Sequence, residues 1–365
     1  MSEEVYKQLL EVMKKRGGGY AGMDIPEFYE LVEELFTPEE AEVNNAMPRG
    51  PVAAKDMAKQ MGRDEGEVER ILEAMADKGL CMSLKPGATQ IYQGQRFMPG
   101  ILEWQFISGK ETDRDKKLAR LIHAYEKAFD AKTGPTSITY PATRVITMDS
   151  TVEAGATVHT YDQVQAYIDK YDTVAVGTCF CRHAAALRDE DTHEMPPEVC
   201  MWFGEGGQFI IERLGARRLT KKEAREVLDK AEEAGLVHMS MNTTEDIGFM
   251  CNCDRWHCNA ITAVLAEPKP GLVFNSGFEP QFDPDLCVAC ETCIDRCPPE
   301  ALTMGEDDVP EVNMDRCFGC AVCATGCPEE AVKMVNKPGF PEPPKDGKAL
   351  REAVRATLIV NKSNR

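Results

Sequence analysis

Most cysteines of this chain fall into closely spaced groups, and two of these groups share one pattern. The first run, "CVACETCIDRCP", supplies Cys287, Cys290, Cys293 and Cys297. The second run, "CFGCAVCATGCP", supplies Cys317, Cys320, Cys323 and Cys327. Thiols spaced by two or three residues can bind a metal centre or act as redox groups. The repetition therefore predicts two thiol-ligated centres near the carboxyl end.

Two copies of C-x2-C-x2-C-x3-C-P resemble the bacterial two-cluster ferredoxin domain, over residues 280–336. The resemblance implies two [4Fe-4S] clusters, and in that family the last cysteine of each run binds the cluster of the other run. One centre would then have the ligands Cys287, Cys290, Cys293 and Cys327. The other would have Cys317, Cys320, Cys323 and Cys297. Paired C-x2-C motifs also bind zinc, and a zinc site takes its four ligands from two such pairs. Each run here instead has three closely spaced thiols and a fourth before proline, which favours a cluster over zinc.

Six further thiols lie upstream in three groups. They are Cys179 and Cys181, then Cys200, then Cys251, Cys253 and Cys258. In an extended segment both side chains of a C-x-C point to one face, and "DTVAVGTCF" predicts a buried strand that runs into a turn. A disulfide within C-x-C would be strained. The pattern therefore favours metal ligation.

We predict that these upstream thiols bind a third iron–sulfur cluster, of the [4Fe-4S] type, because the neighbouring ferredoxin-like runs favour iron. The alternatives are a zinc site at these thiols and no bound metal. A cubane needs four ligands and six are present, so either two are spare or the centre is larger than one cube. The predicted ligands are Cys179, Cys181 and Cys200, with one or two of Cys251, Cys253 and Cys258.

The region around the upstream thiols contains the segments "CFCR", "FGEGGQFIIERLGARRLTKKEA" and "CNC". With these segments it is similar to a cysteine-rich module that precedes ferredoxin domains in iron–sulfur proteins of anaerobic microbes. It departs from the commoner CNCC ending, because four residues separate Cys253 from Cys258, which leaves the last ligand open. Within it, Thr220 and Glu223 predict a capping box for a helix that ends at Gly235.

The amino-terminal region predicts a different kind of domain. "PVAAKDMAKQMGRDEGEVERILEAMADKGLCMSL" has apolar residues at helical spacing, and it resembles the winged helix-turn-helix of transcription regulators. Its second helix, residues 64–78, carries six acidic residues against Arg70 and Lys78, which is the wrong sign for contacts with DNA phosphates. We therefore expect protein docking or a structural role rather than DNA binding.

Charge and composition limit the partners. The 365 residues include 42 Lys and Arg against 61 Asp and Glu, a formal net charge of −19 that favours partners with basic surfaces and repels nucleic acid. No apolar run predicts membrane insertion and the amino terminus lacks a signal-peptide pattern, so we expect a cytoplasmic protein. Fifteen cysteines in a reducing compartment favour metal ligands over disulfides.

Together these patterns predict an α+β, multidomain chain. We expect a winged-helix-like domain at 1–110, a helical connector at 111–139, the cysteine-rich α/β module at 140–275, the ferredoxin domain at 280–336, and a Pro-rich tail with a short helix at 337–365. The predicted function is single-electron transfer, as a subunit or partner of an anaerobic oxidoreductase complex. The alternatives are a redox- or iron-sensing regulator, and an oxidoreductase that binds substrate at the upstream cluster. The sequence does not predict the oligomeric state.

Overall fold

The structure is a computed structural model that describes residues 2–363, except 135–137, 139, 155, 158, 160–161 and 246. Both helices and strands are present, which fits the predicted α+β class. The helices are α1 (Ser2–Arg16), α2 (Pro26–Leu35), α3 (Pro38–Ala46), α4 (Ala54–Met61), α5 (Glu65–Asp77), α6 (Ile101–Trp104), α7 (Asp113–Thr133), α8 (Val164–Lys170), α9 (Phe180–Ala186), α10 (Gly204–Leu214), α11 (Lys221–Glu233), α12 (Asn259–Leu265), α13 (Pro270–Val273), α14 (Thr292–Asp295), α15 (Val322–Thr325) and α16 (Gly347–Ser363).

The strands are short, and most of them lie between helices. They are β1 (Val52–Ala53), β2 (Cys81–Leu84), β3 (Ile91–Gly94), β4 (Thr143–Val145), β5 (Val174–Gly177), β6 (Cys200–Phe203), β7 (Arg217–Leu219), β8 (Val237–Met241), β9 (Phe249–Cys253), β10 (Phe278–Phe282), β11 (Leu302–Met304), β12 (Pro310–Val312) and β13 (Val332–Asn336). None of the described helices combines the length and the apolar character needed to cross a bilayer.

The chain divides into two compact units. The first comprises residues 1–136, 177–192 and 208–217, and the second comprises 137–176, 193–207 and 218–365. The five-part division predicted from the sequence stays a prediction.

The first unit is mainly helical. Apolar side chains at helical spacing on α1, α2, α5 and α7 are buried, and Phe28, Phe97 and Tyr125 pack together with ring centroids 5.9–6.0 Å apart. Helix α5 begins after the Asp64 cap, as the acidic 64–78 segment predicts, and runs into β2. Strands β1, β3 and β2 form a three-stranded sheet in that order.

The second unit is built on a six-stranded sheet in the order β4-β8-β9-β6-β5-β7. Strand β8 pairs antiparallel with both β4 and β9, and β9 pairs antiparallel with β6. Helix α11 has the predicted capping box, in which Thr220 and Glu223 bond each other's backbone amides. Gly235 follows the helix with a φ of +74°, the left-handed conformation that terminates helices.

The carboxyl-terminal part of the second unit consists of two hairpin-like pairs and two short helices. Strand β10 pairs with β13, and β11 pairs with β12, both antiparallel. Each short helix, α14 or α15, follows the second cysteine of one predicted run and contains the third. These elements position the thiols described next.

Candidate metal centres

The eight cysteines of the two runs line two separate cavities. The first cavity is lined by Cys287, Cys290, Cys293 and Cys327. The second cavity is lined by Cys297, Cys317, Cys320 and Cys323. They enclose similar spaces, about 360 and about 310 Å³, counting the part open to solvent. Each cavity thus takes three thiols from one run and the last thiol from the other.

The two runs fold in the same way locally. Ala289 and Gly319 occupy the same position in the two motifs, and both have a left-handed φ, +53° and +67°. Glu291 and Ala321 are likewise left-handed, at +61° and +65°, directly before α14 and α15. These turns curl the backbone, so that three closely spaced thiols face one cavity. Bulky β-branched residues would disfavour such a conformation.

Backbone amides donate hydrogen bonds to several of these sulfurs. The amide of Ala301 lies 3.3 Å from Cys297 Sγ, and the amide of Ala331 lies 3.3 Å from Cys327 Sγ. A third amide, that of Gly319, lies 3.4 Å from Cys317 Sγ. Hydrogen bonds of this kind favour the negatively charged form of a sulfur.

Burial acts in the opposite direction on most of these thiols. It raises the pKa of both Cys293 and Cys297 to about 11, and it raises the pKa of Cys323 well above its ordinary value. Cys290 is exposed, and its hydrogen bond with Thr292 lowers its pKa. A buried thiolate needs a positive charge beside it, which bound iron would supply. The donor sets therefore fit thiolate-ligated clusters.

Within the described part of the chain, no group of three or more His, Cys, Asp or Glu side chains converges on a point that could hold a single metal ion. A cubane distributes its four thiolates over four irons. Its ligands surround a volume and need not meet at one point. Residues 286–331 match the family of 4Fe-4S dicluster domains.

No curated protein and no solved structure matches the chain. The family match covers both cysteine runs, so the chain carries a ferredoxin-like iron–sulfur domain, and an iron–sulfur electron-transfer role is supported. We call residues 286–331 the dicluster domain. The sequence-based prediction of a ferredoxin-like iron–sulfur domain in this part of the chain is confirmed.

Four of the six upstream cysteines lie in the second unit, and we call them the upstream thiol set: Cys200, Cys251, Cys253 and Cys258. Cys200 begins β6, Cys251 and Cys253 lie on β9, and Cys258 directly precedes α12. Strands β6 and β9 pair with Met201 opposite Met250, which brings Cys200 and Cys251 close together. A hydrogen bond with Cys200, followed by burial, raises the pKa of Cys251, although a hydrogen bond with Cys253 opposes this shift.

This set shares its apolar surroundings with the dicluster domain. Cys253 and Cys258 belong to one buried cluster together with Cys293, Cys297 and Cys323, and Val237, Met239, Ile261 and Phe318 pack in the same core. Close packing of this kind excludes water from the space between the thiol groups.

The remaining pair, Cys179 and Cys181, lies in the first unit. Here the expectation of an extended C-x-C is wrong: Cys179 precedes α9, and Cys181 is in the first turn of that helix. The reason is the alanine-rich "FCRHAAA" segment, which favours helix directly after β5. A hydrogen bond with Cys181, followed by burial, raises the pKa of Cys179 well above its ordinary value. For Cys251 and Cys253, by contrast, the extended geometry is confirmed.

Several polar side chains near the upstream thiol set were not singled out as site residues from the sequence. Asp254 is buried and accepts hydrogen bonds from the backbone amides of Trp256 and His257, at 2.8 and 2.6 Å. His238, fully buried on β8, bonds Asn252 on β9. A histidine within the apolar run "LVHMSM" is a signal that could have identified His238 as a buried polar residue with a partner.

Proposed function

We propose that the chain is an iron–sulfur electron carrier, with two clusters in the dicluster domain and a third at the upstream thiols. The observation that carries this proposal is the pair of cavities, each lined by four thiols from both runs. When bound, cubanes of this type supply one-electron redox chemistry. The protein's own residues hold the thiolates in place, donate amide hydrogen bonds to sulfur and exclude water.

The proposed ligands of the first dicluster centre are Cys287, Cys290, Cys293 and Cys327. Those of the second are Cys297, Cys317, Cys320 and Cys323. For the third centre we propose the upstream thiol set, because it supplies four thiols within one compact unit. Cys253 and Cys258 belong to one apolar core, Cys251 packs against that core, and β6 pairs with β9 to bring Cys200 to Cys251. This proposal departs from the predicted ligand set, which included Cys179 and Cys181, and makes that pair the two spare thiols.

Exposure favours the first cavity as the place where electrons enter or leave. Cys290 is exposed there, whereas the cysteines of the second cavity are buried. Two large apolar side chains beside Cys287 are also exposed, Leu286 by 48% and Val288 by 61%. We propose that these exposed apolar side chains form the centre of a docking surface, because interfaces have an apolar centre and a polar rim.

Acidic side chains surround this patch. Glu291 and Glu329 line the first cavity, and Asp308 lies beside Cys287, whose thiol approaches the Asp308 carbonyl oxygen at 3.8 Å. All three acidic residues are exposed. We propose that the partner is a redox protein, or the oxidoreductase complex itself, with basic residues around an apolar centre. Anaerobic metabolism and a cytoplasmic location stay predictions.

The ion pairs of α5, in the winged-helix-like region, do not favour the regulator hypothesis. Glu67 on α5 forms an ion pair with Arg63, and Glu73 and Asp77 form ion pairs with Arg213. These contacts use acidic residues of α5 within the first unit itself. We propose that this region docks protein or supports the fold.

The test compares electron transfer with DNA binding. Electron transfer from a reduced low-potential donor protein with a basic surface should be fast at low salt and slow at high salt, because salt screens the attraction between exposed charges. Leu286→Ser should slow the transfer without changing the spectra of the clusters, since Leu286 does not line either cavity. A mobility shift with operon DNA that depends on redox state, together with no electron transfer at any salt, would establish the regulator instead.

A further inference from the structure

A series of buried hydrogen bonds connects α11 with the strand that carries Cys251 and Cys253. His238 on β8 lies directly opposite Asn252 on β9, and it is fully buried. Its Nδ1 lies 2.6 Å from Asn252 Oδ1, and its Nε2 lies 3.3 Å from Glu232 Oε1 near the end of α11. All of these residues belong to the second unit.

The direction of the His238–Asn252 hydrogen bond follows from the second contact of Asn252. Asn252 Nδ2 donates to the Val199 carbonyl oxygen at 2.7 Å, which fixes the orientation of the amide and leaves Oδ1 as an acceptor. Nδ1 of His238 is therefore the donor to Asn252. On the other side of the ring, Nε2 faces Glu232, whose side chain is 27% exposed.

Asn252 connects two parts of the upstream thiol set. It lies between Cys251 and Cys253 along the chain, and the carbonyl that it binds belongs to the residue before Cys200. Because side chains alternate along a strand, Asn252 points away from the face that presents Cys251 and Cys253. Its side chain therefore fixes the segment of Cys200 against β9 without occupying the thiol side.

The carboxyl end of α11 is anchored in turn by the dicluster domain. Arg296, directly before Cys297, donates from Nη2 to the Glu232 carbonyl oxygen at 2.9 Å and from Nη1 to the Glu233 carbonyl oxygen at 3.1 Å. The same arginine packs on Gly326, directly before Cys327, where an added Cβ would lie 2.3 Å from Arg296 Nε. The position of Glu232, and through it that of His238, thus depends on the dicluster domain.

We propose that His238 is a positioning residue of the upstream thiol site. Its hydrogen bond holds Asn252, and Asn252 in turn holds the Val199 carbonyl oxygen directly before Cys200. This inference rests on the proposed third cluster. A thiolate ligand held in place by such outer contacts keeps the geometry of the cluster that it binds.

Two substitutions test the positioning role. In His238→Asn, the amide nitrogen replaces Nδ1 as the donor to Asn252, and we expect the upstream cluster to keep its EPR line shape. In His238→Leu the donor is lost, and we expect a changed line shape or loss of the upstream cluster, with both dicluster signals retained.

The measurement is an anaerobic EPR redox titration of the full chain, in which Cys251→Ser identifies the upstream signal. Thr220→Ala, which removes the cap at the far end of α11, is the control for general destabilisation of that helix, and it should leave the upstream line shape unchanged. A wild-type line shape in His238→Leu, or a changed line shape in His238→Asn, would overturn the positioning role. If the wild-type protein shows only the two dicluster signals, the proposed third cluster fails and this inference fails with it.

Discussion

Cys327, the last cysteine of the second run, lines the same cavity as Cys293 of the first run. The converse holds for Cys297, which lines the cavity of Cys317, Cys320 and Cys323. Neither run supplies four thiols to its own cavity. The two halves of the dicluster domain must therefore fold together before either cavity has all four of its thiols.

The exchange of ligands between the runs can be tested with serine substitutions. We expect Cys297→Ser to perturb the cluster of Cys317, Cys320 and Cys323, because the substituted side chain lines that cavity. Cys327→Ser, the matched variant, should perturb the other dicluster centre. EPR of the reduced proteins would distinguish the two. If Cys297→Ser altered only the cluster of Cys287, Cys290 and Cys293, the assignment would be wrong.

Gly319 is a position in the dicluster domain where a larger residue would clash with backbone. It has a φ of +67°, and an added Cβ would lie 2.2 Å from the Phe278 carbonyl oxygen. We expect Gly319→Ala to lower the free energy of unfolding by about 1–3 kcal/mol through overpacking and to weaken the second cluster.

Ala289 is the matched control, since it holds the same motif position with a similar φ and already accommodates a Cβ. Ala289→Gly should change the free energy of unfolding by no more than about 1 kcal/mol. Chemical denaturation and iron content measure both variants. If both variants lost the same free energy of unfolding, the clash with the Phe278 carbonyl oxygen would not be the cause of the destabilisation.

The sequence predicted the dicluster domain well because its ligands are local. Thiols two or three residues apart determine their own geometry. Helix α5 was likewise predictable from apolar spacing, and α11 from its capping residues. The upstream thiols were harder, because pairing between β6 and β9 brings Cys200 to Cys251 across many residues. The helix at Cys181 was missed, since the C-x-C pattern alone suits a strand as well as a helix start. The His238–Asn252 contact depends on strand register, which the apolar pattern of β8 does not reveal.

Bound iron should make the protein sensitive to acid. Protons compete with iron for each thiolate, and burial raises the pKa of both Cys293 and Cys297 to about 11. We therefore expect iron loss to a chelator to accelerate as the pH falls from about 8 to about 5. Absorbance of the clusters, followed in a stopped-flow series, measures this rate.

The metal-free protein should lose stability as the pH rises rather than as it falls. A thiol whose pKa is raised on folding stabilises the fold while it is protonated, and this stabilisation is lost as the pH rises from the ordinary value of 9.0 towards about 11. Thermal unfolding of the apoprotein across this range should show a falling midpoint. A rising midpoint would contradict burial as the cause of the shifts.

The two dicluster centres should differ in resistance to chemical attack. Cys290 is exposed and Cys287 is partly exposed, whereas Cys317, Cys320 and Cys323 are buried. We expect oxidant or chelator to remove iron from the first centre before the second. A time course of EPR spectra, with signals assigned by the serine variants, measures the order. Equal rates at the two centres would show that exposure does not control access.

Iron and sulfide analysis of anaerobically purified protein, combined with EPR, tests the three-cluster assignment most directly. Eight cysteines line the two dicluster cavities, and the upstream thiol set supplies four more. We predict about twelve irons per chain and three distinguishable reduced signals. Cys251→Ser should abolish or alter only the third signal. About eight irons per chain, with two signals and no other metal, would contradict the third cluster.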